Sequence, residues 1–273
     1  NTFTANAPFL AIDEDPTLTA DDPQQQVAKW FNEDTVIDQE TFASGGLKGV
    51  AIVFTDDVTK GSWQFSTNGT DFQNFAVTVD GSGHENDALL LNGTDNNQKI
   101  RFAPAPNFFG TATLKFRAWD RSNETGSSLS GTKVDIPVTS GALAVGGTTA
   151  FSAGIVTKTI TVNPINDAPV LGIIRMLIDT LIIEGNSTVN VTLDVGNTTD
   201  VDLNMPDDKL TYIWEVIVGS SVWDTAETPS ITTQTTTDDP DAVFNLPTGH
   251  FVFNVTVTDT AGANDTGSIT VNV

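Results

Sequence analysis

Hydrophobic and polar residues alternate with a period of two along much of the second half of the chain. This alternation predicts β-strands that bury one face and expose the other. The positions expected to point inward are Val189, Val191, Leu193, Val195, Phe251, Phe253, Val255 and Val257. Further strands are predicted at 49–55, 99–103, 111–119, 158–162 and 210–218.

Clusters of Gly, Asn, Asp and Pro separate these strands at intervals that suit antiparallel sheets. Only residues 23–36 have a pattern compatible with a short helix. Residues 121–154 are rich in Gly, Ser and Thr, which predicts a long insertion or a pair of poorly patterned strands. The pattern therefore indicates an all-β protein built from antiparallel β-sandwiches.

Two short motifs occur twice along the chain. TITVN at 159–163 is repeated as SITVN at 268–272, and DAPVL at 167–171 is repeated as NAPFL at 6–10. Each module then begins with an x-A-P-x-L segment and ends on an I-T-V-N strand. We therefore predict two tandem modules, residues 1–166 and 167–273, the first enlarged by insertions and both cut from a longer array.

Longer motifs resemble known families of surface modules. GSWQFSTNGTDFQNF, KIRFAPAPNFFGTATLKFRAWD and ITVNPINDAPVL resemble the cadherin-like tandem repeats of large surface proteins, over residues 6–169. DKLTYIWEV and LPTGHFVFNVTVTDTAG resemble a polycystic-kidney-disease-type (PKD) or Ig-like repeat, over residues 170–273. The alternating strand around Trp214 places this indole at the centre of a two-sheet core.

Charge excludes several classes of partner. The 273 residues include 12 basic and 35 acidic side chains, a formal net charge of −23. Such a surface repels phosphate backbones and anionic membranes, so nucleic-acid binding is not expected. No apolar stretch reaches the roughly 18 residues of a membrane span, so no membrane insertion by this segment is expected either. Cysteine is absent, which excludes disulfides and thiolate metal sites.

Acidic clusters offer the hard oxygen ligands that Ca²⁺ prefers. In cadherins, calcium lies between successive modules, and the resemblance implies such a site at the predicted joint. The matching positions are Glu14, Asn166, Asp167, Asp200, Asp202 and Asp259. The linker departs from the family pattern, because Pro164 replaces its leading Asp and its second Asn is missing. Two alternatives therefore stay open: acids that form a solvated face or Asx turns, and a metal-free proline hinge.

Asn-x-Ser/Thr sequons are frequent, and each is a candidate attachment site for an N-linked glycan. Chance occurrence in a Thr-rich chain is the alternative. The strand phases place Asn190 and Asn254 on polar faces, where a glycan could project outward. The sequons are Asn68, Asn92, Asn123, Asn186, Asn190, Asn197, Asn254 and Asn264.

Catalytic motifs are not found. The histidines, His84 and His250, have no partner at metal-ligand spacing, and no G-x-S-x-G nucleophile motif occurs. Trp119 is out of phase with the inward positions of its strand, and Trp223 lies in a polar loop. Both rings are candidates for stacking on a sugar or for packing against another module.

These features favour a non-catalytic pair of extracellular modules from a larger cell-surface or filament-forming glycoprotein. Its expected partners are neighbouring modules of the same or identical chains, and its expected cofactor is Ca²⁺ at the joint. The alternatives are a glycan-binding adhesin or an accessory domain of a secreted enzyme. A receptor ectodomain is a third possibility.

Overall fold

The computed structural model divides the chain into two compact units, Asn1–Ile165 and Asn166–Val273. The predicted module boundary differs from this division by one residue. Each unit is described by itself. The described residues are 2–3, 9–19, 26–30, 36–37, 48–56, 58–77, 85–124, 128–136, 145–146, 149–177, 188–202, 208–217, 221–222 and 233–273.

The first unit is a β-sandwich. Its larger sheet has six strands in the order β10-β7-β4-β9-β11-β2, and its smaller sheet has the order β6-β5-β8. All pairs are antiparallel except β11 and β2. A separate short pair joins β1 and β3. The strands are β1 (Thr2–Phe3), β2 (Ile12–Asp13), β3 (Val36–Ile37), β4 (Gly49–Thr55), β5 (Gly61–Ser66), β6 (Gln73–Phe75), β7 (Glu85–Asn92), β8 (Lys99–Pro104), β9 (Gly110–Trp119), β10 (Lys133–Ile136) and β11 (Val156–Asn163).

Alternating side chains of the two sheets form the main core of this unit. The larger sheet contributes residues such as Ile52 and Phe116, and the smaller sheet contributes Trp63 and Phe102. The predicted helix is limited, within the described part of 23–36, to one 3₁₀ turn at Val27–Trp30. This turn places Trp30 against the Phe116 ring, with centroids 5.1 Å apart.

Part of the outer face of the six-stranded sheet is also buried. A second apolar cluster on this face joins Ala51 and Leu90 of the central strands to Phe151, which lies in the Gly/Ser/Thr-rich segment. Arg117 fixes the same segment, because its Nη1 donates to the backbone oxygen of Ser152 at 2.9 Å. The predicted insertion therefore covers the outer face around β4, β7 and the end of β9, whereas the outward residues Thr157 and Thr161 of β11 stay exposed.

The hypothesis that the Trp119 ring is available for stacking on a sugar or on another module is wrong. Its phase was predicted correctly, because it belongs to the second cluster and not to the main core. Its side chain is nevertheless 0% exposed, and its Nε1 donates to Oδ1 of Asn123 at 2.8 Å. The cover over the outer face, which strand phase alone does not reveal, removes this ring from solvent.

The second unit is also a β-sandwich, so the predicted all-β class is confirmed. One sheet has the order β12-β13-β17, and the other has the order β15-β18-β14-β16 with β19 paired to β18. Trp214 is 0% exposed and lies in the core between the sheets with Phe244 and Phe253. The strands are β12 (Arg175–Leu177), β13 (Val189–Asp194), β14 (Thr211–Val216), β15 (Ser221–Val222), β16 (Gln234–Thr237), β17 (Asp241–Leu246), β18 (Gly249–Thr258) and β19 (Asn264–Asn272).

Candidate functional site

Acidic and amide side chains gather at one end of the second unit. Asp208 lies shortly before β14, and Asp259 directly follows β18. These two strands are antiparallel with Thr211 opposite Thr258, so the start of one and the end of the other share an edge. We call the group formed there the Asx cluster. Its members are Asn166, Asp167, Asp200, Asp202, Asp208 and Asp259.

Hydrogen bonds connect the members of the Asx cluster. Nδ2 of Asn166 donates to Oδ2 of Asp259 at 2.7 Å, and the amide of Asp167 donates to Oδ2 of Asp202 at 2.6 Å. The amide of Asp202 donates in turn to Oδ1 of Asp200 at 2.9 Å. Nδ2 of Asn166 also donates to the backbone oxygen of Asp167 at 3.0 Å, so the five predicted ligands that lie in the second unit form one hydrogen-bonded group.

Asp200 and Asp259 also hold the backbone that follows them, because Oδ1 of each accepts amides from residues two to four positions later. Oδ1 of Asp259 accepts the amides of Gly262 at 2.6 Å and Ala263 at 2.9 Å, which closes the turn after β18. Asp202 and Asp259 are 3% and 6% exposed, so both are buried with hydrogen-bond donors beside them. The Asx-turn alternative therefore describes Oδ1 of Asp200 and Oδ1 of Asp259, but not Asp202, whose Oδ2 accepts the amide of Asp167 far away in the sequence.

Two carboxylate oxygens of the cluster have a different environment. Oδ2 of Asp200 and Oδ2 of Asp208 are buried and have no hydrogen-bond partner among the described residues. Burial, and then the charges of Asp208, Asp202 and Asp259, raise the pKa of Asp200. No ion pair between described residues involves any of these four acids.

Such an arrangement is costly without a cation. A buried carboxylate oxygen that lacks a donor loses its hydration without replacement, and neighbouring negative charges add to that cost. A hard divalent ion removes both costs, because it coordinates carboxylate and amide oxygens and neutralises the repulsion. The chemistry that the Asx cluster offers is therefore oxygen coordination.

Glu14, the sixth predicted ligand, belongs to the first unit. It directly follows β2, and its amide donates to the backbone oxygen of Asn163 at 2.9 Å. Its carboxylate accepts the amide of Ile165 at 2.6 Å, and the side chain is 4% exposed. Within its own unit, Glu14 holds the last residues before the second unit begins.

Asp208 was not among the predicted ligands. The sequence carried a usable signal, because Asp208 precedes the strand of Trp214 and Asp259 follows the strand of Phe253. If these two strands are antiparallel neighbours, their acidic flanks must meet at one edge. Predicting Asp208 would have required knowing that β14 pairs with β18, and no repeat or motif in the sequence indicates this pairing.

Seven of the eight sequon asparagines are described, and Asn186 lies outside the described residues. Asn190 and Asn254 are exposed on the outer faces of their sheets, as their phases predicted. At Asn92, Oδ1 accepts both the amide and the hydroxyl of Thr94 at 2.8 Å. Asn68 binds Thr70 in the same way, at 3.0 and 3.2 Å. The other exposed sequon asparagines are Asn68, Asn123, Asn197 and Asn264.

Aromatic candidates do not form a surface platform in the described chain. Trp119 is buried, as reported above, and Trp223 lies outside the described residues. His250 is placed at the edge of the second unit, where its Nδ1 lies 2.7 Å from Oδ1 of Asn272. None of the described segments forms a helix with the length and hydrophobicity that a bilayer span requires.

Comparison with known proteins does not assign the chain to a family. No protein-family model matches the sequence, and a comparison with curated proteins finds no significant relative. Among solved structures, the chain is similar to fibronectin(III)-like modules of CbhA from Clostridium thermocellum. That similarity has 12% identity and a TM-score of 0.24, and it covers 87% of this chain and 93% of the other. The fold assignment rests on the sheets and cores described above.

Proposed function

We propose that this chain is a non-catalytic pair of extracellular structural or adhesive modules from a larger surface protein, and that its Asx cluster binds Ca²⁺. The observation that carries the proposal is the pair of buried carboxylate oxygens, on Asp200 and Asp208, that lack donors beside two further acids. Oxygen-rich sites of this kind suit Ca²⁺, which takes six to eight oxygen ligands in flexible geometry.

The position of the Asx cluster suggests what the ion does. Asn166 and Asp167 are the first residues of the second unit, and both are hydrogen bonded to other cluster members. Coordination by the same group would order the beginning of the second unit together with its strand ends. The expected role is therefore to stiffen a module of a tandem array, with neighbouring modules as partners.

The non-catalytic part of the proposal has its own support. In the first unit, the buried acid Glu85 accepts two hydrogen bonds of 2.7 Å from Arg117, so it is part of a buried structural ion pair. Among the described residues of the second unit, Asp200, Asp202 and Asp259 accept hydrogen bonds from one another's backbone, from Asn166 or from nearby amides. Attached glycans at the exposed sequons are expected in the same extracellular setting.

Calorimetric unfolding of the full chain tests the calcium proposal. The transition of the second unit is identified as the one that Trp214→Phe shifts. With Ca²⁺ at 100 times its dissociation constant, we expect stabilisation of about 2.7 kcal/mol relative to excess chelator. Asp200→Asn should match or exceed the wild type in chelator, because it removes one charge from a repulsive group. The same variant should lose the gain from Ca²⁺.

Asp241→Asn is the matched control. Asp241 also lies beside other acids of the second unit, Asp194 and Asp239, but outside the Asx cluster. It should keep the full calcium gain. Equal unfolding temperatures of the wild type in Ca²⁺ and in chelator, at millimolar Ca²⁺ and low ionic strength, would refute the proposal. An equal gain in the wild type and Asp200→Asn would place the ion elsewhere.

A further inference from the structure

One outer sheet face of the second unit carries a short row of apolar side chains. Thr192 of β13 lies opposite Leu177 of β12 and opposite Val243 of β17, so the three residues form a line across the sheet. Leu177 is 47% exposed and Val243 is 50% exposed. The residues next to them in each strand, such as Ala242 and Phe244, belong to the core. We call Leu177, Thr192 and Val243 the outer row.

Polar residues border the outer row on both sides. On one side are Arg175, Asp194 and Asp241, which are paired across the same three strands. On the other side, Asn190 lies opposite Asn245. Among the described residues of this face, two large apolar side chains are therefore exposed between polar neighbours. A cover that has both apolar and polar surface would remove them from water and would still contact the borders.

The outer row includes part of a glycosylation motif. Asn190 begins the sequon Asn190-Val191-Thr192, and its Cα lies about 7 Å from that of Thr192 on the same face of the strand. Asn190 is exposed, and its Oδ1 accepts from Nδ2 of Asn245 at 2.7 Å. This bond uses the oxygen of Asn190 and not Nδ2, the atom to which an N-linked glycan is attached. A sugar on Asn190 would therefore begin directly beside the outer row.

We infer that a glycan on Asn190 packs its first sugar ring onto the outer row and so stabilises the second unit. The inference rests on the proposed extracellular glycoprotein and gives one of its glycans a structural role. The C–H surface of a pyranose can cover Leu177 and Val243, while its hydroxyl groups, which donate and accept, contact the polar borders. A neutral sugar also adds no charge to a chain with a net charge of −23.

The attachment is N-glycosylation in a secretory compartment. The donor is an oligosaccharide linked to a lipid through a diphosphate. The glycosyl bond of the donor breaks, and its electron pair leaves with the lipid diphosphate. Nδ2 of Asn190 forms a bond to the anomeric carbon and releases one proton. A transferase of the cell catalyses this step, so the proposal requires no catalytic residue of this chain.

The second unit contains a matched sequon for comparison. The same tripeptide occurs as Asn254-Val255-Thr256, on the outer face of the other sheet. Asn254 is exposed, as Asn190 is. Thr256, however, lies between Ile213 and Thr266, and neither of these is an exposed large apolar residue. A glycan on Asn254 should therefore contribute little to stability.

Unfolding of two forms of the full chain tests the inference. One form is secreted from mammalian cells under mannosidase inhibition and trimmed by an endoglycosidase to one N-acetylglucosamine at each occupied site, which mass spectrometry maps. The other form is made in bacteria without glycans. Both are unfolded in excess chelator, and the transition of the second unit is the one that Trp214→Phe shifts. In the trimmed form this transition should occur about 4–8 °C higher.

Three variants locate the origin of this rise, each measured in both forms so that effects of the substitution itself cancel. Thr192→Val removes the sequon of Asn190, and Thr256→Val removes the sequon of Asn254 by the same chemical change. The rise should be lost in Thr192→Val and kept in Thr256→Val. The double variant Leu177→Thr, Val243→Thr keeps the sequon of Asn190, and it should lose at least half of the rise because it removes the apolar surface.

Several results would overturn the inference. They are equal unfolding temperatures of the two wild-type forms, a full rise in Thr192→Val, and an unoccupied Asn190 in a chain whose other sequons are occupied. Dimers of the form without glycans that the double variant abolishes would assign the outer row to a second copy instead. A secreted chain with no glycan at any sequon would contradict the glycoprotein setting as well. Failure of calcium binding would leave this comparison unchanged, because it is made in chelator.

Discussion

Lys158 provides a sharp test of how the first unit buries a charge. It lies on β11 and is 5% exposed, with Nζ 5.1 Å from the ring centroid of Phe9 and 5.2 Å from that of Trp30. Burial lowers the pKa of Lys158 from its ordinary value of 10.5 to about 8. Substitution by Met keeps an unbranched side chain of similar length against the same rings and removes the titrating group.

The sign of the pH effect follows from the two pKa values. Between about pH 8 and 10.5 the unfolded chain still holds a proton that the folded chain has released, so stability rises with pH in this range. The full difference is about 2–3 kcal/mol once partial hydration of the ammonium is allowed for. Between pH 7 and 9, the wild type should therefore gain about 1 kcal/mol relative to Lys158→Met.

Calorimetric unfolding of both proteins at pH 7, 8, 9 and 10 measures this change. The transition of the first unit is the one that Gly49→Ala shifts. Any other contact of Lys158 that Met cannot make adds a constant to the difference in unfolding free energy between the two proteins. A contribution that does not vary with pH does not affect how this difference changes from pH 7 to 10. Lys115→Met is the matched control, because Lys115 lies on the neighbouring strand with Nζ 5.0 Å from the Phe54 centroid. A wild-type minus Lys158→Met difference that stays constant from pH 7 to 10 contradicts the reasoning.

Two further substitutions test the packing and the charges of the two units. Gly49→Ala would place Cβ 2.5 Å from Cε3 of Trp119 and 2.8 Å from the backbone oxygen of Leu91. We therefore expect the unfolding free energy, measured with denaturant, to fall by about 1–3 kcal/mol. Unchanged stability would mean that the second apolar cluster is loosely packed. Asp241→Asn should raise the unfolding temperature at pH 7, because burial and the adjacent Asp194 raise the pKa of Asp241. The folded wild type then holds that proton more tightly than the unfolded chain, so the advantage of the variant should shrink as the pH falls toward 4, and a constant advantage would contradict this.

The strands could be predicted because the alternation of apolar and polar residues within each strand indicates which of its faces is buried. The period-two pattern of 250–259 requires no knowledge of partners, and β18 is found there. Trp119 shows the limit of the same rule. Its phase correctly assigned it to the outer face, but the cover that buries this face is a Gly/Ser/Thr-rich segment with little periodicity of its own. Coverage of a face is a tertiary property, so strand phase cannot predict it.

The Asx cluster likewise contains some residues that local sequence predicts and others that only the tertiary arrangement reveals. Asn166 and Asp167 could be proposed from the repeat, because the repeat fixes where one module ends and the next begins. Asp208 required the pairing of β14 with β18, which joins residues about fifty positions apart in the chain. The raised pKa of Asp200 depends on how three chain segments meet, at 200–202, 208 and 259, and no local pattern encodes that.

Asx turns and cation binding can both explain the acidic residues, and they apply to different carboxylate oxygens of those residues. Asp259 accepts backbone amides through Oδ1, so the fold alone gives a reason for a carboxylate or an amide there. No such reason applies to Oδ2 of Asp200 or Oδ2 of Asp208, which are buried without donors among the described residues. An asparagine at position 200 would keep the Oδ1 acceptor for Asp202 and remove a charge that destabilises the folded unit. The carboxylate at 200 thus lowers the stability of the folded unit when no cation is bound, and the proposed calcium binding would offset that cost. Asp200→Asn therefore separates the two explanations: a turn predicts equal or greater stability in every buffer, and a cation site predicts greater stability in chelator and a lost response to Ca²⁺.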